Sequence, residues 1–220
     1  IGPIFKTRAK DYIVGVGIIK EIVNKVSKPL IAIGGINNDN IDSVLIELKE
    51  TSPSKEKIEL HFEAYKYYVS KQKAEEGFQQ LDEAEKLSKQ LKLPHELART
   101  YFFRGRLCNY TEDPIQGSVW YNKALRVKDG LTAHERIGAR NSDAVNYLTF
   151  SEYEKATIIF KQAIQEIPEA IEETGKSYAY LFNNLAYAYS NMGELDSSMH
   201  YHLHCKNLRL IANDTLGLGQ

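Results

Sequence analysis

The stretch from Ser151 to Pro168, SEYEKATIIFKQAIQEIP, most restricts what this chain can fold into. Tyr153, Ala156, Phe160 and Ala163 follow one another at steps of three, four and three, so they share one helix face. The small alanines admit a neighbouring helix at close range, and Phe160 fills the space between them. Pro168 stops the helix, because it lacks an N–H and disfavours helix at the residue before it. The same arrangement recurs. Phe182, Leu185, Ala186, Tyr189 and Gly193, then Leu195, Ser198, His202 and Cys205, form a pair of helices after it. Tyr101, Gly105, Gly117, Tyr121 and Ala124 form a pair before it, and Tyr65, Tyr68, Gly77, Leu81 and Ala84 a weaker one. The equivalent small positions Ala84, Ala124, Ala163 and Cys205 lie 40, 39 and 42 residues apart (124−84, 163−124, 205−163). Helix pairs at a steady period predict a solenoid, in which each unit buries its face on the next.

Adding Ala144 and Tyr147, on the helix preceding Ala156, completes the series small residue, Tyr, Tyr, Ala, Phe, Ala, Pro. This series resembles the tetratricopeptide repeat, whose minimal length is about 34 residues. The longer period implies helices or turns extended by about one to two helical turns. The pairs are expected at 55–70 with 73–91, 95–109 with 114–127, 132–149 with the stretch above, and a long helix 169–192 with 194–211. The expected fold is mainly α: a TPR-like right-handed solenoid of about four helix pairs over 54–220, preceded by a partial α/β segment over 1–50.

That first segment differs from the rest. Ile1–Phe5 and Pro29–Ile33 read as strands, and Ile18, Ile19, Ile22, Val23 and Val26 keep helical spacing. Asn37–Asn40 precede a helix over 41–48. Gly2-Pro3-Ile4-Phe5-Lys6-Thr7-Arg8-Ala9-Lys10 is similar to the sixth-strand loop of the thiamine-phosphate synthase and thiazole tautomerase barrels. Ile31-Ala32-Ile33-Gly34-Gly35-Ile36-Asn37 is similar to their seventh strand and the loop after it. The resemblance implies a phosphate site at Thr7, Lys10, Gly34 and Gly35, and glycine backbone does allow N–H groups close to an anion. Pro3 stands where the tautomerase carries its catalytic His, which fits the synthase form. A complete barrel needs roughly 200 residues. The fragment alone is therefore too short to catalyse, and no catalytic residue is assigned.

With 28 basic and 29 acidic residues the chain has a net charge of −1, without the basic footprint of a nucleic-acid binder. Cys108 and Cys205 both fall in helical segments and suggest no disulfide framework, which points to a reducing cytoplasm. No apolar run approaches the roughly 20 residues of a membrane span. The start at Ile1, inside an apolar stretch, and the Asn213–Gln220 phrase, which enters a further repeat, imply a chain cut at both ends.

In the repeat family the first helix of each pair lines a concave face. The resemblance places there Arg99, Phe102, Phe103, Arg106, Asn109, Asn141, Ser142, Tyr180, Asn183, Asn184 and Tyr187. Asn is mildly unfavourable inside a helix, and a primary amide donates to and accepts from an extended peptide backbone at once. Arg adds bidentate contact to a carboxylate. The long repeats and this face resemble the Rap and PlcR group of bacterial cytosolic receptors. That implies a signalling-peptide or protein ligand in the groove, a role in quorum sensing or transcription regulation, and scope for self-association. His200, His202 and His204 invite a metal reading, but only His200 and His204 share a helix face, so neither metal nor cofactor is expected.

Overall fold

The computed structural model describes residues 41–174 and 177–211, all within the second of two compact units, Ile36–Gln220. The expected strands, and Thr7, Lys10, Gly34 and Gly35, lie outside the described residues. Helix α1 covers Ile41–Glu50 and packs on α2, Lys55–Ser70, whose N-cap Ser54 accepts from the Lys57 N–H. Then come α3 (Ala74–Gln90), α4 (Pro94–Tyr110), α5 (Pro114–Leu125), α6 (Ala133–Thr149) and α7 (Tyr153–Gln165). The short α8 (Ile167–Thr174), α9 (Ala179–Asn191) and α10 (Leu195–Ile211) complete the order, and no strand occurs among the described residues.

The pairs are α2–α3, α4–α5, α6–α7 and α9–α10. Three core clusters each join one pair to the first helix of the next, which is what makes the array continuous. Ile58, Phe62, Leu81 and Ala84 meet Phe103 and Leu107 of α4. Tyr101, Tyr121 and Ala124 meet Ala139 of α6. Ile137, Ala144, Ala156, Phe160 and Ala163 meet Leu181, Leu185 and Tyr189 of α9, with Phe160 fully buried. Ala179, Phe182 and Cys205 close the series.

Within each pair the chain reverses on one residue in the left-handed region: Gln72 (φ 59°), Glu112 (61°), Ser151 (58°) and Gly193 (77°). The N–H of the next residue reaches back five positions, from Lys73, Asp113, Glu152 and Glu194 to the carbonyls of Tyr68, Cys108, Tyr147 and Tyr189, at 2.8–3.0 Å. This bond closes a Schellman-type cap over the end of the first helix. The four turn residues are 40, 39 and 42 apart (112−72, 151−112, 193−151), the same period as the small core positions.

Three expectations are corrected. The long helix over 169–192 is two helices, α8 and α9. Pro168 ends nothing further on: α7 has already stopped at Gln165, and Pro168 occupies the first turn of α8, where a missing N–H has no partner to lose. Gly175 and Ser177, both weak helix formers, stand in the sequence between α8 and α9. In α10, Ser198 and Cys205 are buried as expected, but Leu195 is 69% exposed and His202 is exposed. Tyr201 packs in their stead, its ring parallel to Tyr189 at 5.6 Å. No described helix follows α10 to cover its far side.

Candidate functional site

The first helices α2, α4, α6 and α9 lie side by side, tied by polar contacts one repeat apart. The Arg99 guanidinium pairs with Glu59 of α2, 40 residues back, and stands 3.7 Å from Glu135 of α6. His95 meets the same Glu135 at 2.9 Å, again across 40 residues. Glu173 of α8 accepts from the backbone N–H groups of Ala133 and His134 at 3.2 and 3.1 Å, capping the N-terminus of α6. These N–H groups hold the Glu173 carboxyl below its usual range. A complementary residue one period away is a signal that sequence reading could have searched for at 59 and 99, 95 and 135, and 133 and 173.

Against this frame the expected ligand residues divide into two sets. Arg99 is occupied by its carboxylates and also stacks over Phe62, 4.8 Å to the centroid. Phe103 is core, 5.0 Å from Phe62 in an edge-on contact. Asn109 points into the seam between α4, α5 and α6. It exchanges two hydrogen bonds with Asn146 and packs so closely on Gly117 that a Cβ there would fall 1.9 Å from its Oδ1. Ser142 lies beside the Tyr121 phenol.

The second set faces outward. Tyr180, Asn183, Asn184 and Tyr187 fall at steps of three, one and three on α9, with Tyr180 37% and Tyr187 53% exposed. The Asn184 amide donates to Asn141 Oδ1 of α6 at 2.9 Å, joining the two helices at the surface. Phe102 of α4 is half-buried and lies 3.8 Å from where a Gly138 Cβ would stand on α6. Arg106 is exposed beside the Tyr65 and Tyr121 phenols, and neither it nor Asn183 makes a hydrogen bond or ion pair among the described residues. Burial pushes the Tyr180 phenol up to about 12, so it remains a proton donor at ordinary pH. The surface thus offers a free guanidinium, a free amide, a bridged amide pair and two phenols. These groups suit peptide backbone and a carboxylate, and they hold no nucleophile–base pair. Among the described residues no group of three metal-ligating side chains gathers, and no helix is long and apolar enough to cross a membrane. In α10, His204 packs on the Phe182 ring at 4.3 Å.

Similarity to known proteins divides along the chain. The family described as thiamine monophosphate synthase matches residues 1–50. A thiamine-phosphate synthase of Prochlorococcus marinus is 50% identical over 46 residues, which is 20% of this chain and 13% of that protein. The chain therefore spans a small part of that relative. RapI in its apo form superposes with a TM-score of 0.69 at 16% identity, over 79% of this chain and 64% of RapI, just under two thirds of its length. BtubC (BKLC) from P. vanneervenii gives 0.66 at 16% identity, over 78% of this chain and 71% of its own. A Podosopora anserina kinesin light chain protein of nearly identical TPR-like repeats gives 0.60 at 12% identity, over 79% and 85%. At such identities the likeness is one of fold, and the described residues have the fold of a tetratricopeptide-like repeat protein.

Proposed function

We propose that the repeats form a binding module that holds an extended peptide or protein segment across α4, α6 and α9. The observation that carries this reading is the outward α9 face, Tyr180, Asn183, Asn184 and Tyr187, continued onto α6 by the Asn141–Asn184 bond. Arg106 gives such a ligand's carboxylate a partner, because no described residue neutralises it. The finer reading is a cytoplasmic receptor for a signalling peptide. Calorimetric titration of short peptide pools tests it. The wild type should bind, while Asn183→Ala combined with Asn184→Ala, and separately Arg106→Ala, should bind weakly. Equal binding by all, or none by the wild type, overturns the assignment.

A second reading rests on the match of residues 1–50 to thiamine monophosphate synthase. It assigns phosphate binding to Thr7, Lys10 and the Gly34-Gly35 backbone. Phosphate affinity that Thr7→Ala and Lys10→Ala leave unchanged would remove it.

A further inference from the structure

On another part of the surface, α5 and the C-terminal end of α6 enclose an open groove of ≈ 540 Å³. Its apolar lining is Ile115, Val119, Tyr147 and Phe150, and three of these are largely exposed: Ile115 at 64%, Val119 at 52% and Phe150 at 48%. Large apolar side chains gathered at one place, rather than scattered singly, mark an interaction surface. The rim is charged with one sign. Lys123, in the last turn of α5, and Arg126, its C-cap, both line the groove, and no carboxylate does. Among the described residues neither makes an ion pair within 4 Å, though Lys123 feels the Glu85 carboxylate of α3; Arg126 has no such neighbour. Lys123 is held in place by stacking over Trp120 and Tyr101, 4.4 Å from each centroid. Beneath the lining, Asn122 donates to Asp143 Oδ2 at 2.9 Å, while the buried Oδ1 has no partner. That carboxylate supports the floor and is closed to a ligand.

We propose that this groove docks an amphipathic helix of a protein partner, with its apolar face on Val119 and Phe150 and acidic side chains along the edge that meets Lys123 and Arg126. The argument is charge complementarity. Two cations three residues apart, at the last turn and C-cap of α5, match carboxylates spaced by one turn on a partner helix, and the apolar floor between helices suits the apolar stripe of such a helix. This surface is separate from the α4, α6 and α9 face, and the proposal stands independently of the peptide-binding reading.

The test uses a fluorescein-labelled synthetic helix with leucines on one face and glutamates along one edge, and a twin with lysines replacing the glutamates. Anisotropy reports binding. Trp120, the single tryptophan of the chain, lies under the Lys123 ammonium and reports on it. The acidic helix should bind the full chain and weaken as salt is raised, and the basic twin should bind at least about tenfold more weakly. Val119 and Arg126 are exposed, so Val119→Ser and Arg126→Glu should leave the circular dichroism spectrum unchanged while each weakens binding by about tenfold. Asn183→Ala with Asn184→Ala should leave this binding intact. The proposal is overturned if neither helix binds, if both bind equally, or if Val119→Ser and Arg126→Glu bind like wild type. It is equally overturned if sedimentation shows that the wild type self-associates and Val119→Ser abolishes it, which would make the occupant a second copy.

Discussion

Asn109 and Asn146, 37 residues apart, clasp each other: Asn109 Nδ2 donates to Asn146 Oδ1 at 2.7 Å, and Asn146 Nδ2 returns to Asn109 Oδ1 at 3.1 Å. The two hydrogens of Asn146 Nδ2 are shared among that oxygen, the Pro114 carbonyl at 2.9 Å and the Ser118 hydroxyl at 3.1 Å, so one buried amide joins α4, α5 and α6.

Removing that amide leaves several half-buried polar groups without their partner at once. Asn146→Ala should lower the free energy of unfolding by about 1–3 kcal/mol, the usual penalty for buried groups left unpaired. A double-mutant cycle with Asn109→Ala in urea should show strong coupling. Simple additivity would mean that the clasp carries no energy of its own.

Two glycines should respond in opposite directions to the same substitution. A Cβ at Gly117 would collide with Asn109 Oδ1 at 1.9 Å, so Gly117→Ala should destabilise by disrupting the clasp. At Gly138 the nearest neighbour of an added Cβ is the far end of the Phe102 ring, at 3.8 Å, an ordinary contact. Gly138→Ala should stabilise by about 0.5–1 kcal/mol, the helix-interior difference between these residues. Thermal melts of the two variants should move to opposite sides of the wild type.

Phe160, fully buried between alanine-bearing faces, should cost about 3–5 kcal/mol when truncated to Ala. Solenoid stability is close to a sum of repeat and nearest-neighbour contributions. Hydrogen exchange should therefore accelerate first in α6, α7 and α9 and later in α2 and α3. Uniform acceleration would describe a single cooperative globule instead.

Acid should act in two separate windows. Burial holds the His61 imidazole below its ordinary 6.5, although Gln80 at 2.9 Å and the more distant Glu83 favour its charged form; Lys57 opposes it. The unfolded state therefore takes up this proton first, and stability present above about pH 6.5 is lost as pH falls toward the folded value. Burial opposes the charge on Glu96, but the Lys55 ammonium at 2.7 Å and Glu96's own backbone N–H outweigh it and lower its carboxyl below the usual 4.5. Its contribution is present above that value and lost below it. Urea midpoints across a pH series should fall in two steps. His61→Gln should flatten the first and Lys55→Gln the second. A His61→Gln curve parallel to wild type would show that burial of this ring is not linked to folding.

Much of the array was legible because its core depends on residue size at fixed spacing. Ala84, Ala124, Ala163 and Cys205 are all buried where the period puts them. The bounds expected for α2, 55–70, are those observed, with Ser54 as N-cap; the left-handed turn at Gln72 carries no sequence signal of its own. Polar contacts across repeats were not legible, since they depend on which side chains meet over about one period rather than within a turn. Arg99 reads as a ligand residue until Glu59 and Glu135 are seen beside it, and Asn109 until Asn146 is. The break between α8 and α9 was missed because the apolar periodicity continues through Ala170 and Tyr178 on both sides. The groove at Val119 and Phe150 was missed because it combines residues from two helices whose own patterns mark only their buried faces.

The recurring left-handed turn has a consequence for how such a chain changes over generations. Gln72, Glu112, Ser151 and Gly193 are the same joint, entered and left by helices in the same phase. A single unequal crossover between any two of these points removes or duplicates a stretch of 39 to 42 residues, or a whole-number sum of neighbouring stretches, and rejoins the chain at an identical bend. The array can thus lengthen or shorten in one genetic event without a new turn having to be invented. Only the two core faces brought together at the splice then have to adapt to each other.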